Sequence, residues 1–187
     1  SMAERVCHQL AIGTQRPPEE VDWDVEPEVL RLQRELRGGS YRPGEYRVFH
    51  VSDPKPRRIC AASFRDRVVH HALCAALEPV FERYAIDDSY ACRKGKGAMA
   101  AVKRAQVLGR RQAWFVKLDV LRYFESVSHS VLLDAMTRQV KDRRVIELVE
   151  VFVRAGAPGS PPGRGLPIGN LTSQHFANFY PGALDHH

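Results

Sequence analysis

Asp119 comes near the end of a run of apolar and β-branched residues, Trp114 to Val120 (WFVKLDV), and Phe124 follows it five residues later. A carboxylate at a strand end can face an open cleft. Hard divalent cations such as Mg²⁺ take oxygen ligands, commonly one or two protein carboxylates plus substrate phosphates. An aspartate so placed, followed by an aromatic, suits nucleotidyl transfer: the carboxylate holds the metal, and the flat ring packs against a sugar and can exclude a 2′-hydroxyl. The same aspartate serves equally well as a turn or helix cap, and spacing alone leaves both roles open. A second stretch, Gly163 to Gln174 (GRGLPIGNLTSQ), joins a glycine loop to a polar helix start. Glycine lets a backbone approach a base pair or a phosphate closely, and helix N-termini attract phosphate. A plain loop capped by Asn170 or Thr172 fits the same residues.

Two further candidates carry little. His70-His71 and His186-His187 are adjacent pairs, and neighbours on a helix point about 100° apart, so neither makes a chelating face. Arg93 to Ala98 (RKGKGA) hints at a phosphate loop but lacks the G-x-x-x-x-G-K-[ST] spacing.

The elements that must position these residues can be read from periodicity. Pro27 followed by Val29, Leu30, Leu32 and Leu36, then Gly38-Gly39, predicts a short helix. Tyr41 to Val51 reads as strand, with a hairpin turn at Pro43-Gly44 as one option and Asp53-Pro54-Lys55-Pro56 as its break. Apolar residues recur at helical spacing from Phe64 to Tyr84. Arg93 to Gly97 is a loop feeding a helix through Val102 and Val107. Trp114 to Val120 is expected to be a buried strand. Helices follow near 129–139 and 142–154, then a Gly/Pro-rich loop over 155–167 and a last helix near 169–180. Strands and helices mix without the regular alternation of a doubly wound sheet, so the expected class is α+β.

With 187 residues, 44 % hydrophobic and 27 % charged, the chain can build a packed core, which excludes disordered and low-complexity classes. No apolar run reaches the ~20 residues of a membrane helix, and the N-terminus lacks a signal-peptide layout. Ser1-Met2-Ala3 reads as a tag scar. Cys7, Cys60, Cys74 and Cys92 form no C-x-x-C, so no disulfide framework or zinc knuckle is indicated and a reducing, cytoplasmic setting is expected. The net charge of +6 is unevenly spread. Residues 1–53 carry 7 Lys/Arg against 10 Asp/Glu, residues 54–118 carry 14 against 5, and residues 119–187 carry 7 against 7. Such a basic middle third suits a polyanion, because each neutralised phosphate releases counterions; a solubilising basic face fits as well.

Read together, these stretches resemble a reverse transcriptase. KPRRICAASFRDRVVHHAL (55–73) and SYACRKGKG (89–97) look like the fingers blocks. FVKLDVLRYFESV (115–127) looks like the palm motif that carries the first metal-binding aspartate, and GLPIGNLTSQHFANFYPGALDH (165–186) like the motif that follows it. The blocks stand in family order over residues 41–187. IGNLTSQ, with Ile168 where many members place glutamine, is similar to diversity-generating retroelement and related bacterial chromosomal enzymes. The resemblance implies a right-hand polymerase: an N-terminal helical segment over 1–40, fingers over 41–112 and a partial palm over 113–187. It implies two Mg²⁺ extending a primer 3′-hydroxyl with deoxynucleoside triphosphates on an RNA template. Asp119 and the Val120 carbonyl become metal ligands, and Phe124 the sugar gate beside a nucleotide pocket lined by Ile168 and Gly169. Lys55 and Arg57 reach the triphosphate, with Arg58 as the alternative register, and Arg93, Lys94 and Lys96 hold the template strand.

The sequence also departs from the family pattern. The second metal motif, aromatic-x-Asp-Asp, does not occur after residue 165; the one Asp-Asp pair, Asp87-Asp88, precedes the palm motif. Pro181 stands where the family continues an apolar helix, which proline breaks. The expectation is therefore a fingers-and-partial-palm fragment, with Mg²⁺ held weakly or not at all and little or no synthesis of its own. Its partners would be template, primer and nucleotide, an accessory protein, and a second copy through an open palm edge. The alternative is a non-catalytic nucleic-acid-binding module or a broken-gene remnant.

Overall fold

The computed structural model describes residues 25–52 and 55–186. Helix α1 (Val25–Gly38) leads to strands β1 (Arg47–Val51) and β2 (Arg57–Ala61). Helices α2 (Phe64–Tyr84), α3 (Ala98–Gly109), α4 (Tyr123–Ser126), α5 (His129–Gln139), α6 (Arg143–Ala155), α7 (Leu171–Phe179) and α8 (Gly182–Asp185) follow. The mixture of helix and strand agrees with the α+β expectation, with a single two-stranded sheet among the described residues.

Helix α2 is the central element. Ser63 caps it: its Oγ accepts from the Asp66 amide at 3.2 Å and donates to Asp66 Oδ2 at 2.7 Å, a reciprocal cap that fixes the first turn. Its apolar face, Val68, Val69, Leu73 and Leu77, joins Leu132 and Met136 of α5, Val149, Phe152 and Val153 of α6, and Phe176 and Phe179 of α7 in one core. The closest helix pairings are α2 with α7 and α5 with α6. Asp142 caps α6 by accepting from the amides of Arg144 and Val145, at 2.9 and 3.4 Å. Helix α7 stops at Phe179, and Pro181 opens the separate short α8, so the chain bends where proline lacks an amide to donate.

Two expectations need correction. The hairpin does not turn at Pro43-Gly44. Strand β1 pairs antiparallel with β2, with Val48 opposite Cys60 and His50 opposite Arg58, so the turn lies between Val51 and Arg57. The sequence reading assigned no second strand because Arg57-Arg58 looked like loop. The second correction is larger. Trp114 to Val120 forms no regular secondary structure and is not a buried strand: Trp114, Phe115, Val116 and Leu118 are 82–89 % exposed. Its composition demands burial, but no described strand pairs with it. Between Ala98 and Arg122, spanning α3 and this segment, no residue is buried.

Candidate nucleotide and nucleic-acid site

Three stretches of chain come together around the loop that precedes α7. On one side, residues 163–166 run beside 124–129. Leu166 donates to the Phe124 carbonyl at 2.8 Å, Gly165 to Val127 at 2.9 Å, and His129 to Gly163 at 2.9 Å. The His129 ring closes this seam by donating from Nε2 to the Gly165 carbonyl at 2.8 Å. On the other side the loop lies along the outer edge of β2. The Cys60 amide donates to the Ile168 carbonyl at 2.7 Å, and Asn170 Nδ2 donates back to the Cys60 carbonyl at 3.0 Å. The loop thus occupies an edge that would otherwise leave backbone groups unpaired. Gly169 permits the contact. Its φ is +114°, and a Cβ there would stand 2.8 Å from Ile59 Cγ2 and 3.4 Å from the Cys60 carbonyl.

The helix beyond the loop is anchored from beneath. His70, 2 % exposed, lies against the Phe152 ring with centroids 4.3 Å apart, and its Nδ1 meets Thr172 Oγ1 at 2.8 Å. Burial pushes the His70 pKa down to about 4, with the nearby Asp66 charge working the other way. The ring is therefore neutral at pH 7; Nδ1 shares a hydrogen bond with the Thr172 hydroxyl, and the buried Nε2 has no hydrogen-bond partner. Tyr123 Oη donates to the Ala177 carbonyl at 2.6 Å and ties α4 to α7; burial pushes its pKa up to about 12. Asp66, also 2 % exposed, accepts from Tyr41 Oη at 2.6 Å and from the Gly44 amide at 2.9 Å, fixing the chain that enters β1.

The sequence-derived candidates fall into four groups. Phe124, Ile168 and Gly169 meet on this seam: Phe124 is half-buried against the core, Ile168 is half-buried and Gly169 is exposed. Lys55 and Arg57 are exposed at the hairpin, Arg57 on the same strand as Cys60, and Arg58 points its guanidinium toward Gly159. Asp119 and Val120 lie on the exposed segment between α3 and α4. Among the described residues no group of three or more His, Cys, Asp or Glu is placed to hold a metal ion. One carboxylate and one carbonyl supply two oxygens, which is part of a Mg²⁺ ligand set and does not fit a two-metal site.

The fourth group is the loop of basic residues, and its cations already have intramolecular partners. Arg93, with its side chain 13 % exposed, bonds Glu82 at 3.0 Å and the carbonyls of Ile86 and Ser89 at 2.6 and 3.1 Å. Lys94 pairs with Glu78 at 2.8 Å while staying 83 % exposed. Lys96 bonds the Asp87 carbonyl and lies 5.2 Å from the Tyr90 ring centroid. Sequence reasoning missed Cys60, His70, Asp66 and His129. Asn170 was read as a cap; its side chain makes no capping bond and crosses to Cys60 instead.

No protein-family model matches the chain. The group II intron-encoded protein LtrA of Lactococcus lactis is 25 % identical over 167 residues, 86 % of this chain and 28 % of that protein. Protein YkfC of Escherichia coli K12 is 27 % identical over 172 residues, 86 % of this chain and 45 % of that one. Nuclear intron maturase 1 of Arabidopsis thaliana is 28 % identical over 167 residues, 79 % of this chain and 23 % of that one. Among solved structures, a chain of a partial Cas6-RT-Cas1–Cas2 complex superposes with a TM-score of 0.58 at 18 % identity, covering 98 % of this chain and 33 % of its own. The resemblance to reverse transcriptases is borne out, over part of such a protein: the chain spans less than half the length of these relatives. Two of these three relatives are intron proteins by name, and the diversity-generating subtype rests on the IGNLTSQ form with Ile168. No described helix is long and apolar enough to cross a membrane.

Proposed function

We propose that this chain is the fingers and partial palm of an RNA-directed DNA polymerase, which grips template, primer and nucleotide but does not by itself complete the metal site. One observation carries the reading: the loop bearing Ile168 and Gly169 is hydrogen-bonded to β2 at Cys60, three residues from Arg57, and to Phe124. The loop that the resemblance gives to the nucleotide pocket is thus tied both to Phe124 and to the strand that begins at Arg57. In this reading Ile168 and Gly169 present backbone and a short apolar side chain to the base pair, Phe124 packs toward the sugar, and Lys55 with Arg57 supplies charge to the triphosphate. Lys94 and Lys96 extend the charge along the template strand, whereas Arg93 shapes their loop. Asp119 and the Val120 carbonyl would be the chain's own contribution to Mg²⁺ binding.

That no group of three or more ligating side chains gathers among the described residues favours a second reading, a non-catalytic nucleic-acid-binding module. One paired experiment separates the two. A labelled RNA template with a DNA primer is titrated at several salt concentrations, and extension is assayed with Mg²⁺ and four deoxynucleoside triphosphates. The proposal expects salt-dependent binding that Lys55→Ala with Arg57→Ala weakens, stronger binding when the matching nucleotide is added, and no extension. Binding indifferent to the nucleotide leaves the module reading. Absence of salt-dependent binding overturns both, and extension lost in Asp119→Ala overturns the claim that the chain's metal site is incomplete.

A further inference from the structure

A groove of about 420 Å³ separates the last turn of α1 from α6, within the size of pockets that hold ligands or peptide side chains. Its floor is aliphatic. Helix α6 sends Val149, Phe152 and Val153 into the core, while Val145, Leu148 and Val151 stay half-buried and face the groove together with Leu36. Its rim is basic. Arg37 and Arg144 are exposed and their side chains form no ion pair with a described residue, and Arg42 donates only to the carbonyls of Gly39 and Tyr41. The lining carboxylate, Glu147, is taken by Arg143 at 3.0 Å. The concave apolar strip is thus bordered by three guanidinium groups, and its one lining carboxylate, Glu147, is already paired with Arg143.

We propose that this groove docks an acidic amphipathic helix of a partner protein. An aliphatic floor between two helices accepts side chains from one face of a third helix, spaced at i, i+3, i+4 and i+7. The arginine rim matches carboxylates on the flanks of that helix, since a guanidinium fork bonds a carboxylate through two parallel hydrogen bonds. Charge complementarity alone would also admit RNA, and the floor decides against it. Valine and leucine offer no surface on which a base stacks. The one lining aromatic, Tyr41, is 3 % exposed, with its ring against Phe152 at 5.9 Å and the Arg65 guanidinium 5.2 Å away. No groove residue belongs to the nucleotide seam, so the proposal stands or falls apart from the polymerase reading.

The test is selection of phage-displayed 14-residue peptides on the folded 187-residue chain, followed by synthesis of the enriched sequences. The expected sequences carry leucine, isoleucine or phenylalanine at helical spacing with Asp or Glu between them. The variant Arg37→Ala/Arg144→Ala, which alters two exposed side chains, should bind them roughly five- to tenfold more weakly, as for the loss of two exposed ion pairs. Leu148→Gln should weaken them further and leave template–primer binding unchanged. The proposal is overturned if no sequence is enriched, if the enriched peptides lack acidic residues, or if the arginine variant keeps full affinity. It is also overturned if that variant instead loses affinity for a 20-base-pair RNA duplex, which would make the groove a nucleic-acid surface.

Discussion

His70 is held neutral by burial, and this has a consequence for stability against pH. Its pKa is pushed down to about 4, whereas an unfolded histidine titrates near 6.5. Below 6.5 the unfolded chain takes up a proton that the folded one refuses, so the unfolded state gains. The contribution is complete above pH 6.5 and is lost as pH falls toward 4, on the order of 2–3 kcal/mol from this residue. Burial also lowers the pKa values of His71 and His175, which add with the same sign. Urea unfolding between pH 7 and 4 should show this fall, and His70→Phe should make it shallower, because that position then binds no proton and only the His71 and His175 contributions remain. An unchanged slope in that variant would show that the loss comes from other groups. Arg93 offers a second check at this scale. It holds one carboxylate and two carbonyls, so Arg93→Ala should destabilise the chain by about 2 kcal/mol, as for lost charge-assisted hydrogen bonds. Lys94→Ala, whose one partner is met at the surface, should leave stability nearly unchanged. Nothing in the run Arg93-Lys94-Gly95-Lys96 distinguishes these cations; only the fold over α2 sets them apart.

Among the elements, legibility followed the reach of the forces that form them. Helices α2, α5 and α6 were visible because a periodic apolar face is a local fact, whereas the caps at Ser63 and Asp142 emerged only in the structure. Strand β2 was missed because its inward residue, Cys60, is flanked by Arg57, Arg58 and small residues, and its pairing comes from β1 and from a loop more than a hundred residues away. The Trp114–Val120 segment was misread for the complementary reason: composition reports what would be buried if a partner strand were present, and none of the described residues supplies one. Of the candidate site, the nucleotide-loop glycine was legible, but its partner was not. Amide exchange should register this contrast. The Cys60 amide, bonded to Ile168, should be protected to near the global unfolding free energy, while amides of 114–121 exchange almost as in a free peptide. Gly169→Ala should cost about 1–3 kcal/mol through its positive φ and the approach of Ile59, and should release the Cys60 amide specifically. If the Cys60 amide stayed protected in that variant, the seam would be held by something other than this close approach.

For the molecule as a whole, the question is which of its charges remain available to a polyanion. The basic excess lies between residues 54 and 118, but the structure divides it. Arg93, Arg104, Lys94 and Lys96 are wholly or partly engaged with carboxylates and carbonyls of the same region, Arg104 through two bonds to Asp88 at 2.8 and 3.1 Å. Lys55, Arg57, Lys103, Arg110 and Arg111 are exposed without a carboxylate partner among the described residues. Each phosphate neutralised by such a group steepens the fall of log K with log salt by about 0.9 on a duplex. Replacing Lys55 and Arg57 together by alanine should therefore make the slope for an RNA–DNA hybrid shallower by roughly 2, uniformly across sequences, because these contacts carry no base information. Replacing Arg93 and Arg104 together should lower stability while leaving the slope nearly unchanged, since their charges already answer Glu82 and Asp88. Equal slope changes for the two pairs would mean that these internal ion pairs open on binding, and that the basic third of the chain acts as one surface whatever its resting contacts.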